Sequence, residues 1–295
     1  MWLLSSAVFF STRLLPGDPA ALVLGELSGQ EERAALRARL HLDEPLLVQY
    51  ARFARNVVVL DLGPSLARPG TTARQRVSSA VPPTASLAGI AVLLGTLAGL
   101  GAAVLSVGPW LGRGRRAVNG AVIAISATPL LALAPLATWA LAVRTHLVPL
   151  PGDPSSGVGG LLFASSLLAV PLGAQVARVG RAALIDLGRA PFLDVARAKG
   201  ATAVRTWFLH GLPAASAPIV AVVGTQLGAL LGGAVVLERL FERPGLGTLM
   251  LEAYATRDLP VLEGAILASG ALFVGTQAVA AALHALIDPR VGDSR

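Results

Sequence analysis

Residues 84–107 read TASLAGIAVLLGTLAGLGAAVLSV, with no Asp, Glu, Lys or Arg among them. An α-helix needs about 20 mostly apolar residues to cross the hydrocarbon core of a bilayer, and this stretch meets that length. Gly95 and Gly99 stand four positions apart and so share a face of the helix. Lipid supplies no hydrophobic drive between helices, so small residues on one face mark where a neighbour can pack closely.

The same pattern recurs at about 118–143, 159–177, 214–237 and 264–287, again without Asp, Glu, Lys or Arg in the interior. In the run 214–237, Gly224, Gly228 and Gly232 share a face. They serve either packing within the chain or contact with a second membrane subunit. A sixth run, Trp2–Leu15, is shorter and is interrupted by Arg13. It has neither a basic stretch before it nor a small-residue cleavage site after it, so it is expected to be a short first spanning helix over 1–15 rather than a signal peptide. The fold expected is all-α, a polytopic transmembrane bundle of about six spans.

Composition agrees. Of 295 residues, 54% are hydrophobic and only 14% charged, where a soluble domain carries about a quarter charged residues. The net charge of +7 comes almost wholly from arginine, placed between the apolar runs. That placement suits loops facing an anionic membrane surface and not a nucleic-acid partner. No cysteine is present, which excludes disulfides and thiolate metal sites.

Arginine also orients the chain, because short cytoplasmic loops collect positive charge. Arg113, Arg115 and Arg116 lie in one loop; Arg178, Arg181, Arg189, Arg197, Lys199 and Arg205 lie in the insert 178–213. The loop 147–157, LVPLPGDPSSG, has no positive charge. The two arginine-rich loops are therefore expected in the cytoplasm, together with both termini. Residues 16–83 then form an extracytoplasmic segment, in which GQEERAALRARLHLDEPLLVQYARFARNVV (29–58) reads as amphipathic helix with Leu36, Leu40, Leu47 and Phe53 among its apolar members. Residues 84–295 form the transmembrane core, with a cytoplasmic loop at 182–213 and a second outer segment at 238–260.

Catalytic chemistry is thin. His41, His146, His210 and His284 lie far apart without metal-ligand spacing, and no GxSxG elbow occurs. The single lysine, Lys199, is followed by Gly-Ala-Thr, so the GxxxxGK[ST] phosphate cradle is absent. No catalytic residue, metal or cofactor is expected, and any ATP chemistry belongs to another chain. Spans without ionisable groups argue against a proton-driven carrier, while sodium coupling through backbone carbonyls at helix breaks, for which Pro129, Pro135 and Pro171 are candidates, stays open. The polar residues left to line a path are Ser126, Thr128, Gln175, Thr225, Gln226 and Gln277. Each serves equally as interhelical glue.

The stretch DVARAKGATAVRTWFLHGLP (194–213) is the one short polar insert between apolar runs that has a helix–break–helix rhythm. Pro191 suits a helix start, and Asp194 suits the first turn, where a carboxylate meets the positive end of the helix dipole. Arg197 and Lys199 suit the other end, and Gly200 permits a left-handed exit. A second short helix, Ala203–Leu209, then leads to Pro213. Local chemistry alone leaves this as either a polar loop or a pair of surface helices.

The spacing resembles the "EAA" loop in membrane subunits of binding-protein-dependent ABC importers: Glu-Ala-Ala, three residues, Gly, nine residues, Ile, one residue, Leu-Pro. Asp194-Val195-Ala196, Gly200, His210 and Leu212-Pro213 occupy those places, with Asp, Val and His as departures. RLLPGDPA (13–20), HLDEPLLVQYARF (41–53), DLGPSL (61–66), LFERPGLGTLMLEA (240–253), RDLPVLEG (257–264) and DPRVG (288–292) resemble the dipeptide, oligopeptide and nickel branch of that family. The resemblance implies a permease subunit that hydrolyses nothing itself. It implies import of peptides, nickel chelates, glutathione or related solutes. Its partners would be a second permease, cytoplasmic ATP-binding subunits and an extracytoplasmic solute-binding protein. It places Asp194, Val195, Ala196, Arg197, Lys199 and Gly200 on the helix that couples to the ATPase, with His210, Leu212 and Pro213 completing the loop.

Overall fold

The computed structural model describes residues 2–13, 29–39, 41–153, 156–188 and 190–287, and every regular element among them is helical. Four helices are long and apolar enough to cross a membrane: Ala73–Val107, Gly157–Leu187, Ser216–Leu240 and the apolar part of Leu259–Ile287. The run expected at 118–143 is divided. Gly114–Ala127 and Leu130–Arg144 meet at a bend of 109°. Thr128 is extended there (φ −91°, ψ 119°), the conformation that a following proline imposes, and Pro129 cannot continue the helical ladder. Pro135 and Pro171, by contrast, lie inside helices.

The helix expected to begin near residue 84 starts at Ala73. Its first turn is closed by a reciprocal capping box: the Gln75 N–H donates to Thr72 Oγ1 (3.2 Å), and the Thr72 N–H donates to Gln75 Oε1 (3.0 Å). The amphipathic stretch 29–58 is likewise two helices, Gln30–Arg39 and Leu46–Val58, parted by a turn at 41–44 in which His41 has φ 55°. Phe53 is buried and Leu47 is exposed. The first apolar run forms the helix Trp2–Arg13. Residues 14–28 and 288–295, which include most of RLLPGDPA and all of DPRVG, lie outside the described residues, as do Leu40 and Arg189.

The chain divides into two units, 1–85 with 242–274 and 86–241 with 275–295. In the first, Ala73, Val77 and Ala80 pack with Leu246, Leu249, Ala253, Val261 and Ala265. Phe9 packs with Phe53, Val8 and Leu267. Thr84 Oγ1 accepts the Leu246 N–H at 2.8 Å, capping the start of helix Leu246–Ala255. Asp258, fully buried, accepts the Ser65 hydroxyl, the N–H groups of Leu66 and Ala67 (3.1 and 3.3 Å) and the Arg76 guanidinium (3.2 Å).

In the second unit, helix 157–187 is the hub, with 56% of its most apolar stretch buried. It runs parallel to the 73–107 helix. A Cβ on Gly95 would lie 2.8 Å from the Ala169 carbonyl oxygen, and one on Gly99 would lie 2.6 Å from both the Gly173 carbonyl oxygen and Val176 Cβ. Gly180 meets Ala103 further along. This is the close approach anticipated for Gly95 and Gly99, made within the chain. Helix 216–240 runs antiparallel to the hub, with Ile219 against Gly180, Gly233 against Leu168 and Phe241 against Phe163.

Gly99→Ala is expected to lower the thermal midpoint of the detergent-solubilised chain, whereas Gly101→Ala, where an added Cβ meets nothing within 4 Å, leaves it unchanged or raises it. Alanine gains up to about 1 kcal/mol of helix propensity at either site. At Gly99 it also forces two backbones apart, and overpacking of that kind costs about 1–3 kcal/mol. Equal midpoints for the two variants would refute the close helix pair.

Candidate functional site

The parallel and antiparallel relations put the end of helix 73–107, the end of helix 157–187 and the start of helix 216–240 at one end of the second unit. The Arg113–Arg116 segment and the 188–215 insert therefore share that end. The loop 145–153 lies at the other, where the Gly152 N–H donates to the Phe241 carbonyl (3.2 Å). The two arginine-rich segments thus flank the same side of the bundle.

Helix Pro191–Ala198 occupies that end. Leu193, fully buried, and Ala196 turn inward. Leu193 joins Leu184, Trp207, Ala215 and Ile219 in the core of the unit. Phe192, Asp194, Val195, Ala198 and Lys199 face outward, with Phe192 43% and Val195 53% exposed. The outward face thus carries two exposed apolar side chains flanked by Asp194 and Lys199. Arg197 lies on the same helix. Gly200, at φ 82°, closes it. The Lys199 N–H donates to Val195 O (3.0 Å) and the Ala201 N–H to Ala196 O (3.1 Å). The second of these is the six-to-one bond of a helix terminated by a left-handed glycine.

The second helix expected over 203–209 begins as Ala203–Arg205, where Thr202 caps the Arg205 N–H at 3.3 Å. It widens into a π-helical turn, Thr206–Gly211. Trp207 is the reason this insert holds its place: it is buried, and its ring lies beside Gly188 and Gly211. His210 and Pro213 are exposed and Leu212 is partly buried; they belong to this second stretch, apart from the outward face of helix 191–198. Leu193 and Trp207 were not singled out from the sequence. Their only local signal is apolar character inside a polar insert.

The path candidates separate into three groups. Ser126 donates to Val122 O (2.7 Å), Thr128 to Ala124 O (2.9 Å) and Thr225 to Val222 O (2.9 Å), each within its own helix. Gln277 donates to Gly224 O at 2.9 Å, joining helices 259–287 and 216–240. Gln175 and Gln226 make no side-chain hydrogen bond among the described residues. The register that sets Leu168 against Gly233 sets these two amides level with one another. Gly224 is buried, whereas Gly228 and Gly232 are exposed. Among the described residues no three His, Asp or Glu side chains converge as a metal site.

A multi-pass helical bundle with an anchored surface helix at its arginine-rich end is the architecture of a membrane transport subunit. The family model described as binding-protein-dependent transport system inner membrane component matches residues 79–293, and the chain belongs to that family. It is 30% identical to the probable peptide ABC transporter permease protein y4tP of Sinorhizobium fredii, over 96% of this chain and 92% of that protein. It is 33% identical to the glutathione transport system permease protein GsiC of Escherichia coli O6:H1, over 99% of this chain and 94% of that one. Among solved structures, the methionine ABC transporter MetNI in inward-facing conformations matches with a TM-score of 0.60 at 19% identity, covering 72% of this chain and 97% of that one. An amino acid ABC transporter matches at a TM-score of 0.53 and 21% identity, covering 73% and 94%. These two establish the fold. Membership of the family selects the importer permease over the ion-coupled carrier.

Proposed function

We propose that this permease subunit carries peptides or a peptide-like solute such as glutathione, and that helix 191–198 is where a separate cytoplasmic ATPase grips it. The carrying observation is the outward face of that helix. Phe192 and Val195 are exposed on an element whose other side is locked into the core by Leu193. Movement imposed on the outer face passes through Leu193 and Trp207 to the ends of helices 157–187 and 216–240. The arginine-rich end is cytoplasmic, residues 16–83 are extracytoplasmic, and both termini lie inside. The chain performs no hydrolysis itself and works beside a second permease, for which the exposed Gly228 and Gly232 offer a close-packing face, and a solute-binding protein outside. Gln175 and Gln226 are the path residues best able to contact cargo, since their amides are not committed to the protein.

The test is capture of the ATPase by the purified permease. Phe192→Asp with Val195→Asp is expected to abolish it, because burial of each such side chain contributes about 1.5–3 kcal/mol. Asp194→Ala with Lys199→Ala is expected to weaken it only slightly, since exposed charge pairs contribute about 0–1 kcal/mol. Undiminished capture by the double aspartate variant would move the interface elsewhere, and ATP turnover by the isolated chain would overturn the division of labour.

A further inference from the structure

A cavity of about 340 Å³ opens between the last turns of helices 73–107 and 157–187 and the middle of helix 114–127. Arg178 and Arg181, one helical turn apart, both line it, with Asn119 and Ser106. The Nε of Arg181 is shut off from solvent and makes no hydrogen bond. Neither guanidinium is in an ion pair among the described residues, and no carboxylate lines the cavity. Ser106 donates its hydroxyl to Ala103 O at 2.7 Å and leaves the arginines the principal donors. A buried N–H donor without an acceptor is costly, and forked guanidinium donors match the oxygens of a phosphate.

The depth of the site says which phosphate. Helix 157–187 has 31 residues, roughly 46 Å at the α-helical rise, against a hydrocarbon core of about 30 Å. Its uncharged stretch ends at Ala177, so Arg178 and Arg181 stand where hydrocarbon gives way to headgroups. Helix Gly114–Ala127 buries none of its residues, and Ile123, at the rim of the cavity, is 64% exposed. That apolar face is available to an acyl chain. Two cations with no carboxylate beside them disfavour a headgroup that brings its own ammonium.

We propose that Arg178 and Arg181 form a binding site for the phosphate of an anionic phospholipid, on the side of the membrane that bears the arginine-rich loops. Basic pockets between helix ends are where such headgroups dock. Asn119 offers its amide as a third donor, and the lipid tail lies along Val122 and Ile123.

The experiment uses the full-length chain, in the complex with which it purifies, and native mass spectrometry from nanodiscs of defined lipid. Retention of one phosphatidylglycerol per chain, in preference to phosphatidylcholine, is expected. Arg178→Gln with Arg181→Gln is expected to reduce that preference roughly 30-fold, from the loss of two arginines at an anionic surface. The paired lysine variant, which keeps charge and loses the fork, should fall between. Arg113→Gln with Arg115→Gln should retain the lipid. Equal retention of the two lipids by the unaltered chain would overturn the site, and that comparison needs no variant to fold. Displacement of phosphatidylglycerol by millimolar inorganic phosphate would make it a free-anion site and overturn the lipid assignment. Full displacement by a short peptide would make it a cargo site, with the same consequence.

Discussion

Gly200→Pro is expected to abolish transport while the chain still inserts and folds. Gly200 sits at φ 82°, and proline is held near −65°, so the exit from helix 191–198 would be lost and the helix redirected. An added Cβ at this position meets nothing within 4 Å, so a side chain here is opposed by backbone conformation and not by a clash of its Cβ. That isolation makes a graded series informative. Gly200→Asn should retain most transport, because asparagine tolerates the left-handed region best among residues with a side chain. Gly200→Ala should be intermediate, with a strain of about 1–2 kcal/mol. Allosteric couplings amount to about 1–3 kcal/mol, so strain of this size is enough to matter. Binding-protein-stimulated ATP hydrolysis in the reconstituted complex and solute uptake are the measurements. Normal uptake by the proline variant would remove the coupling role from this helix.

The parts of this fold that read directly from sequence are those with a local cause. The apolar runs follow from residue type, and the left-handed exit at Gly200 and the helix before it follow from Pro191, Asp194 and the glycine itself. The beginning of helix 73–107 was obscured because Arg74, Gln75 and Arg76 are poor residues for a span. Yet the Thr72-x-x-Gln75 capping box carries the signal, and the charged turn belongs to a helix longer than the membrane requires. The break at Pro129 lay inside an unbroken apolar run, where hydropathy cannot distinguish one span from a bent pair. Anchoring of helix 191–198 was not legible at all. Leu193 joins Trp207 and Leu184 in one buried cluster only once the chain is folded, and no periodicity announces which apolar residue of a polar insert turns inward. The Arg178–Arg181 cavity was half legible: the arginines were counted toward orientation, but their shared cavity depends on where helix 73–107 ends.

The contact least visible in sequence has the second large expected effect. Asp258 and Arg76 are separated by 182 positions, yet Asp258 is fully buried, Arg76 is 8% exposed and Ser65 is 6% exposed. Asp258→Ala would orphan the Leu66 and Ala67 N–H groups and the Ser65 hydroxyl at once, and would take a buried partner from a cation. Breaking a buried ion pair from one side costs about 3–5 kcal/mol. Arg76 keeps Glu252 at 3.0 Å, which puts the expected loss near the lower end, about 3 kcal/mol. Glu252→Ala should cost only about 0–1 kcal/mol, because Glu252 is 41% exposed and faces Arg68 as well. The asymmetry between the two carboxylates is the test. Adding Arg76→Met to Asp258→Ala removes the orphaned cation but leaves three donors without an acceptor, so only part of the loss should return. Hydrogen exchange at Leu66 and Ala67 reads those donors directly, and both amides should lose protection in the single and the double variant. Equal costs for Asp258→Ala and Glu252→Ala, with the two amides still protected, would mean that the loop 61–72 is held by its apolar contacts and that Asp258 is incidental to it.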